Sequence, residues 1–354
     1  MSGCAAAASA ALEADTTIHL AFLCVASARF IRTIPSFMAA ACNRTHSSDS
    51  RPSKFVVHVL TDLLSDAPHV LSWPRFAKGG ACWSACVHML NNESLSASAV
   101  ARFTALRSRV ESHPWSRNNY NFMYKVMLHD VLPSSVRRVI VLDHDMLVLA
   151  DLRGLWELFD RFRPTQMLGL AEETQPTYHP CGTSTEALRR RHPGRKTGYL
   201  AFNGGLQLLD LHKLRRHGEY NSITNPAVYG RWTDERRAPW SGGRCTSNGG
   251  VWDLGDQDLY ALLGIDHPEW FYTVPCAWNV QLSTYNHERH NLWPPSYPEL
   301  QCTEPPAILH GNFRTSSLWG SDYHTPSCTD VKRAFATVHE KHPEIFVAVE
   351  EAFC

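Results

Sequence analysis

Short apolar runs alternate with amphipathic stretches along the chain. Residues 18–25 and 54–60 are apolar and rich in β-branched side chains, which predicts buried strands. Between them, apolar residues recur at helical spacing over residues 29–41 and predict an amphipathic helix. Strand, helix and strand in this order are typical of α/β domains that bind nucleotides. The pattern therefore predicts an α/β fold with a central, mostly parallel sheet flanked by helices.

The long apolar run over residues 138–149 is interrupted by Asp143-His144-Asp145. If the chain stays extended there, the period of two puts both carboxylates on the same side. Two neighbouring carboxylates repel each other, so we expect a cation between them. Mg²⁺ or Mn²⁺ carrying a phosphate suits hard oxygen ligands at the end of a parallel strand. The alternative is that the two aspartates lie where a strand leads into a turn and only cap nearby backbone groups.

Other polar positions suit a site at the same edge of the sheet. Lys125 lies beside a helical apolar stripe, and it either reaches this edge or is a surface lysine with a buried stem. Gly204 and Gly205 precede an apolar run and indicate a close backbone approach or special dihedral angles. Asp256 opens an apolar helix and suits its first turn. His310 ends a strand, where it completes a metal site or is an ordinary core or surface histidine.

Composition narrows the class of protein. The chain has 354 residues, of which 44% are apolar, and this is enough for one large α/β domain with additions. The 34 Lys and Arg residues balance the 34 Asp and Glu residues, so we expect no nucleic acid partner. No apolar span is long enough to cross a bilayer, and no targeting segment is visible. We therefore expect membrane attachment only through an anchor outside this chain.

The cysteine content indicates an oxidising compartment. Eleven cysteines are many for a cytosolic enzyme, and several fall in loop-like surroundings. Asn43-Arg44-Thr45 and Asn92-Glu93-Ser94 are acceptor sequences for N-glycosylation. These features favour the lumen of the Golgi or endoplasmic reticulum, or secretion. Because the cysteine count is odd, at least one thiol is unpaired or bonded to another chain.

The order of the polar motifs is more specific than any single motif. Four of them follow one another as Asp143-His144-Asp145, Phe202-Asn203-Gly204-Gly205, Asp256-Gln257-Asp258 and His310. This order resembles the family 8 glycosyltransferases, which have a GT-A fold, and within them the xylosyltransferase domain of LARGE-type glycan synthases. The resemblance includes the blocks Val139-Ile140-Val141-Leu142-Asp143, Leu168-Gly169-Leu170-Ala171-Glu172 and Pro275-Cys276-Ala277-Trp278-Asn279-Val280-Gln281-Leu282.

This resemblance implies a domain organisation and a reaction. We expect a disordered tail over residues 1–16, the GT-A domain over 17–330, and a helical extension packed on it over 331–354. The implied reaction moves a sugar from a UDP-sugar donor to a glycan or glycoprotein acceptor, with retention at the anomeric carbon. The implied cofactor is Mn²⁺, with Mg²⁺ as the alternative ion. Xylose is the first expected sugar; the alternatives are a UDP-glucose or UDP-galactose transferase and a catalytically silent glycan-binding protein.

The resemblance also assigns roles to matched positions. Asp143, Asp145 and His310 would be the metal ligands, and Lys125 would contact the donor. The residues around the reacting sugar would be Asn203, Asp256 and Gln257, with Asp256 either a nucleophile or a positioning residue; same-face attack is favoured. The strand end over Cys24, Val25, Ala26 and Ser27 would bind uridine. The remaining donor-binding positions would be His144, Gly204, Gly205, Gly311 and Arg314.

The sequence departs from the pattern of the family in two ways. Many members follow the late histidine with glycine three residues on and lysine six residues on. Here the run is His310-Gly311-Asn312-Phe313-Arg314, so Arg314 is the candidate for the phosphate-binding lysine. LARGE-type proteins also carry a second, glucuronic acid-transferring domain, for which this chain has no room. The resemblance therefore does not imply a disaccharide-polymerising activity.

Overall fold

A computed structural model describes residues 17–23, 38, 41–42, 54–61, 83–90, 95–111, 123–174, 202–223, 256–281, 302 and 304–311. The strands among these residues are β1 (Thr17–Leu23), β2 (Lys54–Thr61), β3 (Trp83–Met89), β4 (Val139–Leu142), β5 (Met146–Val148), β6 (Leu168–Glu172), β7 (Phe202–Leu209), β8 (Phe271–Thr273), β9 (Val280–Gln281) and β10 (Ile308–His310).

The helices vary in length from one turn to four. They are α1 (Ala97–Glu111), α2 (Met123–Val126), α3 (Leu128–Val131), α4 (Leu152–Trp156), α5 (Leu211–Arg216), α6 (Gly218–Ile223) and α7 (Asp256–Asp266). Short 3₁₀ helices cover Glu157–Arg161, Pro268–Trp270 and Cys276–Asn279. In the part of the chain that the structure describes, no helix is both long enough and apolar enough to span a bilayer.

The first of two compact units contains the described residues up to Val87, Ile140–Arg161 and those from Val274 onward. Its main strands lie in the order β3-β2-β1-β4, and β1 runs parallel to both β2 and β4. A small sheet follows the order β5-β10-β9, in which β10 is antiparallel to β5 and parallel to β9. The core strands are apolar almost throughout because side chains on both faces are buried.

The second unit contains the described residues of His88–Val139 and Phe162–Thr273. Its strands lie in the order β7-β6-β8, with β6 antiparallel to β7 and parallel to β8. All eight residues of β7 are buried. The central sheet is therefore mixed but mostly parallel, with helices, which confirms the predicted α/β class.

Two predicted strands, β1 and β2, are confirmed near their expected bounds. The run over residues 138–149 is different, because the chain does not stay extended. It forms β4 and β5, and His144 and Asp145 are turn residues between them. The prediction that strand periodicity aligns the two carboxylates was therefore wrong. Residues 1–16 and 331–354 lie outside the described residues.

Candidate active site

Asp143, Asp145 and His310 meet in the first unit, at one end of the small sheet. Asp143 follows β4, Asp145 precedes β5, and His310 ends β10. Antiparallel pairing sets His310 opposite Met146, and the amide of Gly311 donates to the carbonyl of Asp145 over 2.8 Å. One ligand atom of each of the three side chains lies within 4.8 Å of the other two. A turn and a strand pairing thus produce the cluster that the motif order predicted.

The environment of Asp145 fits a cation ligand. Its Oδ1 is buried and accepts no hydrogen bond from the described residues, and Nε2 of His310 lies 3.4 Å away. Burial raises the pKa of Asp145, but the His310 ring and the charge of His144 outweigh burial and hold this pKa below its ordinary value. The carboxylate is therefore ionised at neutral pH. A buried anionic oxygen in this state is one that a bound cation would satisfy.

The donor set also fits a divalent ion. Two carboxylates and one imidazole offer hard oxygen ligands and one nitrogen, a combination compatible with Mn²⁺ and less so with Mg²⁺. Three protein ligands leave coordination positions for phosphate oxygens. His144 itself is half-buried in the turn between the two aspartates.

A second polar cluster lies within the second unit, where Lys125 and Asp256 are both buried. Lys125 is only 2% exposed, so the alternative of a surface lysine is wrong. Its Nζ donates to the carbonyl of Gly204 over 3.0 Å and lies 3.9 Å from Oδ2 of Asp256. Nε2 of Gln207 donates to the same two oxygens over 2.9 and 2.6 Å, and the hydroxyl of Tyr260 donates to Oε1 of Gln207 over 3.1 Å. The network satisfies a charge pair that would otherwise be costly to bury.

Glu173 links two of the predicted sugar-contacting residues. Its Oε2 accepts a hydrogen bond from Asn203 and another from Gln257, each over 2.9 Å. Oδ1 of Asn203 accepts from the amide of Gly205, and Oε1 of Gln257 accepts from the amide of Gly204, over 3.0 and 3.2 Å. Because one carboxylate oxygen accepts from the nitrogens of both amides, and their oxygens accept from backbone N–H groups, these contacts determine how both side-chain amides are oriented.

The structure thus brings the predicted residues of the second unit into one cluster, which contains Lys125, Asn203, Gly204, Gly205, Asp256 and Gln257. Sequence reasoning missed Glu173, Gln207 and Tyr260, which complete it. Gln207 had a detectable signal, because it is an amide between two leucines of the buried strand β7. The predicted positions Cys24, Val25, Ala26, Ser27 and Arg314 lie outside the described residues.

Residues 75–312 match the sequence profile described as glycosyl transferase family 8. The chain belongs to this family. This match confirms the family that the motif order predicted. Mouse xyloside xylosyltransferase 1 is 30% identical over 202 residues, which are 55% of this chain and 47% of that protein. Human LARGE1, a xylosyl- and glucuronyltransferase, is 34% identical over 183 residues, which are 51% of this chain and 21% of that protein.

Solved structures agree on the fold. The apo crystal structure of mouse xyloside xylosyltransferase 1 superposes with a TM-score of 0.59 at 20% identity and covers 84% of this chain and 98% of that chain. The galactosyltransferase LgtC, solved with donor and acceptor sugar analogues, gives a TM-score of 0.54 at 17% identity and covers 91% and 96%. The GT-A fold is therefore confirmed. The chain spans about half the length of the curated xyloside xylosyltransferase it matches.

Proposed function

We propose that this protein transfers xylose from UDP-xylose to a glycan or glycoprotein acceptor, with retention and with Mn²⁺ as the preferred ion. The observation that carries the proposal is the cluster of Asp143, Asp145 and His310, whose ligand atoms lie within 4.8 Å of one another. The relatives support the choice of sugar, since they are named as a xyloside xylosyltransferase and a xylosyl- and glucuronyltransferase.

The first cluster is proposed to hold the metal and the donor diphosphate. Asp143, Asp145 and His310 would be the protein ligands, and the bound ion would neutralise charge that develops on the leaving diphosphate. His144 and Gly311 would line the same site. On the family resemblance we also propose that the strand end at 24–27 binds uridine and that Arg314 contacts phosphate.

The second cluster is proposed to bind and orient the transferred sugar. The amides of Asn203 and Gln257, fixed by Glu173, would hydrogen-bond its hydroxyl groups. Asp256 Oδ2 is engaged by Gln207 at 2.6 Å, with Lys125 at 3.9 Å. This engagement favours a positioning role for Asp256 and transfer by same-face attack, because a nucleophilic oxygen needs an unobstructed line to the anomeric carbon.

The proposed compartment is a secretory lumen, the Golgi or endoplasmic reticulum, or the extracellular space. Cys276 and Cys302 form a disulfide, and Cys42 is also disulfide-bonded. Disulfides of this kind persist where the surroundings are oxidising.

Donor binding tests the metal assignment most simply. Isothermal titration of UDP-xylose in Mn²⁺ should show binding that a chelator removes. Asp143→Asn should weaken binding by more than the roughly 10- to 100-fold typical of changes outside the ligand shell. Asp160→Asn, which changes an exposed carboxylate of the same unit, should bind as the wild type does.

Two results would count against the proposal. Donor affinity that is equal in Asp143→Asn and the wild type would remove Asp143 from the metal site. Glycan binding without any metal-dependent affinity for a UDP-sugar would instead support the silent glycan-binding alternative. Preference for UDP-glucose or UDP-galactose would keep the fold and chemistry but change the sugar.

A further inference from the structure

Asn279 contacts the side of the His310 ring that faces away from Asp145. Its Oδ1 lies 3.0 Å from Nδ1 of His310, while Nε2 of the same ring lies 3.4 Å from Oδ1 of Asp145. Asn279 is 2% exposed and His310 is 4% exposed, so water competes little for this hydrogen bond. The two ring nitrogens therefore have different tasks.

The chemistry of the amide decides which nitrogen carries the proton. An oxygen acceptor at Nδ1 requires an N–H there, and a neutral imidazole then has its lone pair on Nε2. Nε2 is the nitrogen on the side of Asp145. Only a nitrogen with a free lone pair can bind a metal ion.

Asn279 is held rigidly relative to the strand that carries His310. It ends the 3₁₀ helix Cys276–Asn279, and the disulfide between Cys276 and Cys302 ties this helix to the segment before β10. The amide of Ala307 donates to the carbonyl of Ala277 over 2.8 Å. Parallel pairing of β9 with β10 then continues beyond Asn279. The contact is therefore preorganised by one covalent link and by backbone hydrogen bonds.

We propose that Asn279 is a positioning residue that holds His310 in the tautomer with its proton on Nδ1, so that Nε2 is available to a divalent cation. The inference rests on the proposed function, because it assumes that His310 is a metal ligand. It adds a residue that does not touch the ion but controls the affinity for it.

The test measures Mn²⁺ binding to the full chain without donor. Binding is monitored through the electron paramagnetic resonance signal of free Mn²⁺. Asn279→Leu removes the acceptor at similar volume and should weaken Mn²⁺ binding roughly 10- to 100-fold. Asn279→Asp keeps the acceptor and should bind Mn²⁺ at least as tightly as the wild type. Val280→Ala, a truncation of the buried neighbouring residue in β9, is the stability control and should leave the Mn²⁺ affinity unchanged.

The outcomes distinguish the role of Asn279 from the existence of the metal site. Equal Mn²⁺ affinity in Asn279→Leu and the wild type would overturn the role of Asn279 and leave the metal site intact. Weaker binding in Asn279→Asp would also overturn it, because the acceptor is still present, and this variant decides the matter if Asn279→Leu does not fold. A wild-type protein that binds no Mn²⁺ would overturn both the inference and the proposed metal site.

Discussion

Gly204 is where the backbone of β7 approaches a buried carboxylate. A Cβ atom at this position would lie 2.9 Å from Oδ2 of Asp256, closer than real Cβ contacts allow. The carbonyl of Gly204 also accepts hydrogen bonds from Lys125 and Gln207. The backbone therefore cannot move away from Asp256 without disturbing the contacts of both donors.

Gly204→Ala should impair the site more than it impairs the fold. The added methyl group displaces Asp256, and we expect a loss of stability of about 1–3 kcal/mol from overpacking. A shift of the site by about 1 Å should lower kcat/KM by roughly 100-fold. Gly218→Ala is the matched control, because nothing lies within 4 Å of a Cβ there. Wild-type kcat/KM in Gly204→Ala would contradict the proposed role of Asp256.

At the scale of single residues, the sequence predicted which residues belong to the site better than it predicted the contacts that they make. The glycine pair at 204 and 205 predicted a close approach or special dihedral angles, and at Gly204 the structure shows a close approach to Asp256. Glu173 was not predicted, because its role depends on hydrogen bonds to Asn203 and Gln257, which are far from it in sequence. No local pattern encodes such contacts.

Arg215 of α5 connects that helix to the chain segment that leads toward β4. Its guanidinium donates over 2.7–3.0 Å to the carbonyls of His129, Leu132, Pro133 and Val136. These carbonyls belong to the end of α3 and the loop after it, where a helix leaves acceptors without intrahelical partners. One planar side chain with five N–H groups satisfies them together, which a lysine cannot do.

Arg215→Ala should destabilise the protein by about 2–4 kcal/mol, because several partly buried carbonyls lose their donors. Arg216→Ala is the matched control, since that neighbour is exposed, and it should change the free energy of unfolding by less than about 0.5 kcal/mol. Urea unfolding followed by circular dichroism measures both. Equal midpoints for the two variants would show that the Arg215 contacts contribute little.

The paired strands β1 and β2 carry a histidine contact that should make stability depend on pH. Nδ1 of His19 lies 3.0 Å from Nε2 of His58, and burial lowers the pKa of His19 to about 4. Between pH 6.5 and 4 the unfolded chain binds a proton that the folded chain does not, so stability decreases as the pH falls through this window. Above pH 6.5 this contribution is fully present.

His19→Gln should therefore flatten the decrease in the free energy of unfolding between pH 6.5 and 4, by up to about 1.4 kcal/mol per pH unit. Urea titrations at half-unit steps of pH measure the slope. An unchanged slope in the variant would show that His19 is not the group that titrates.

The element boundaries show where periodicity fails. The apolar run over residues 138–149 predicted one strand, but a turn at His144 and Asp145 divides it into β4 and β5. Apolar residues are buried on both sides of the turn, so hydrophobicity alone does not locate it. The prediction of a metal site nevertheless remained useful, because β10 supplies His310 beside β5. Strand pairing, which no local window contains, made the cluster.

At the scale of the whole molecule, the fold class and family could be predicted because they depend on the order of elements and motifs along the chain. The identities of the sugar and acceptor depend on pocket shape, for which no motif is diagnostic. Xylose lacks only the hydroxymethyl group of glucose, a small difference for any pocket. The central claim is that the protein transfers xylose from UDP-xylose in a metal-dependent reaction. It is therefore tested by measuring that reaction.

The most direct measurement is UDP release by the purified chain with a simple xyloside as acceptor. UDP-xylose, UDP-glucose, UDP-galactose, UDP-N-acetylglucosamine and UDP-glucuronic acid would be compared in Mn²⁺ and in chelator, with Asp143→Asn alongside. The account predicts release that is fastest from UDP-xylose, stops in chelator and is absent in Asp143→Asn. UDP release that continues in chelator, or no release together with no Mn²⁺-dependent donor binding, would contradict it.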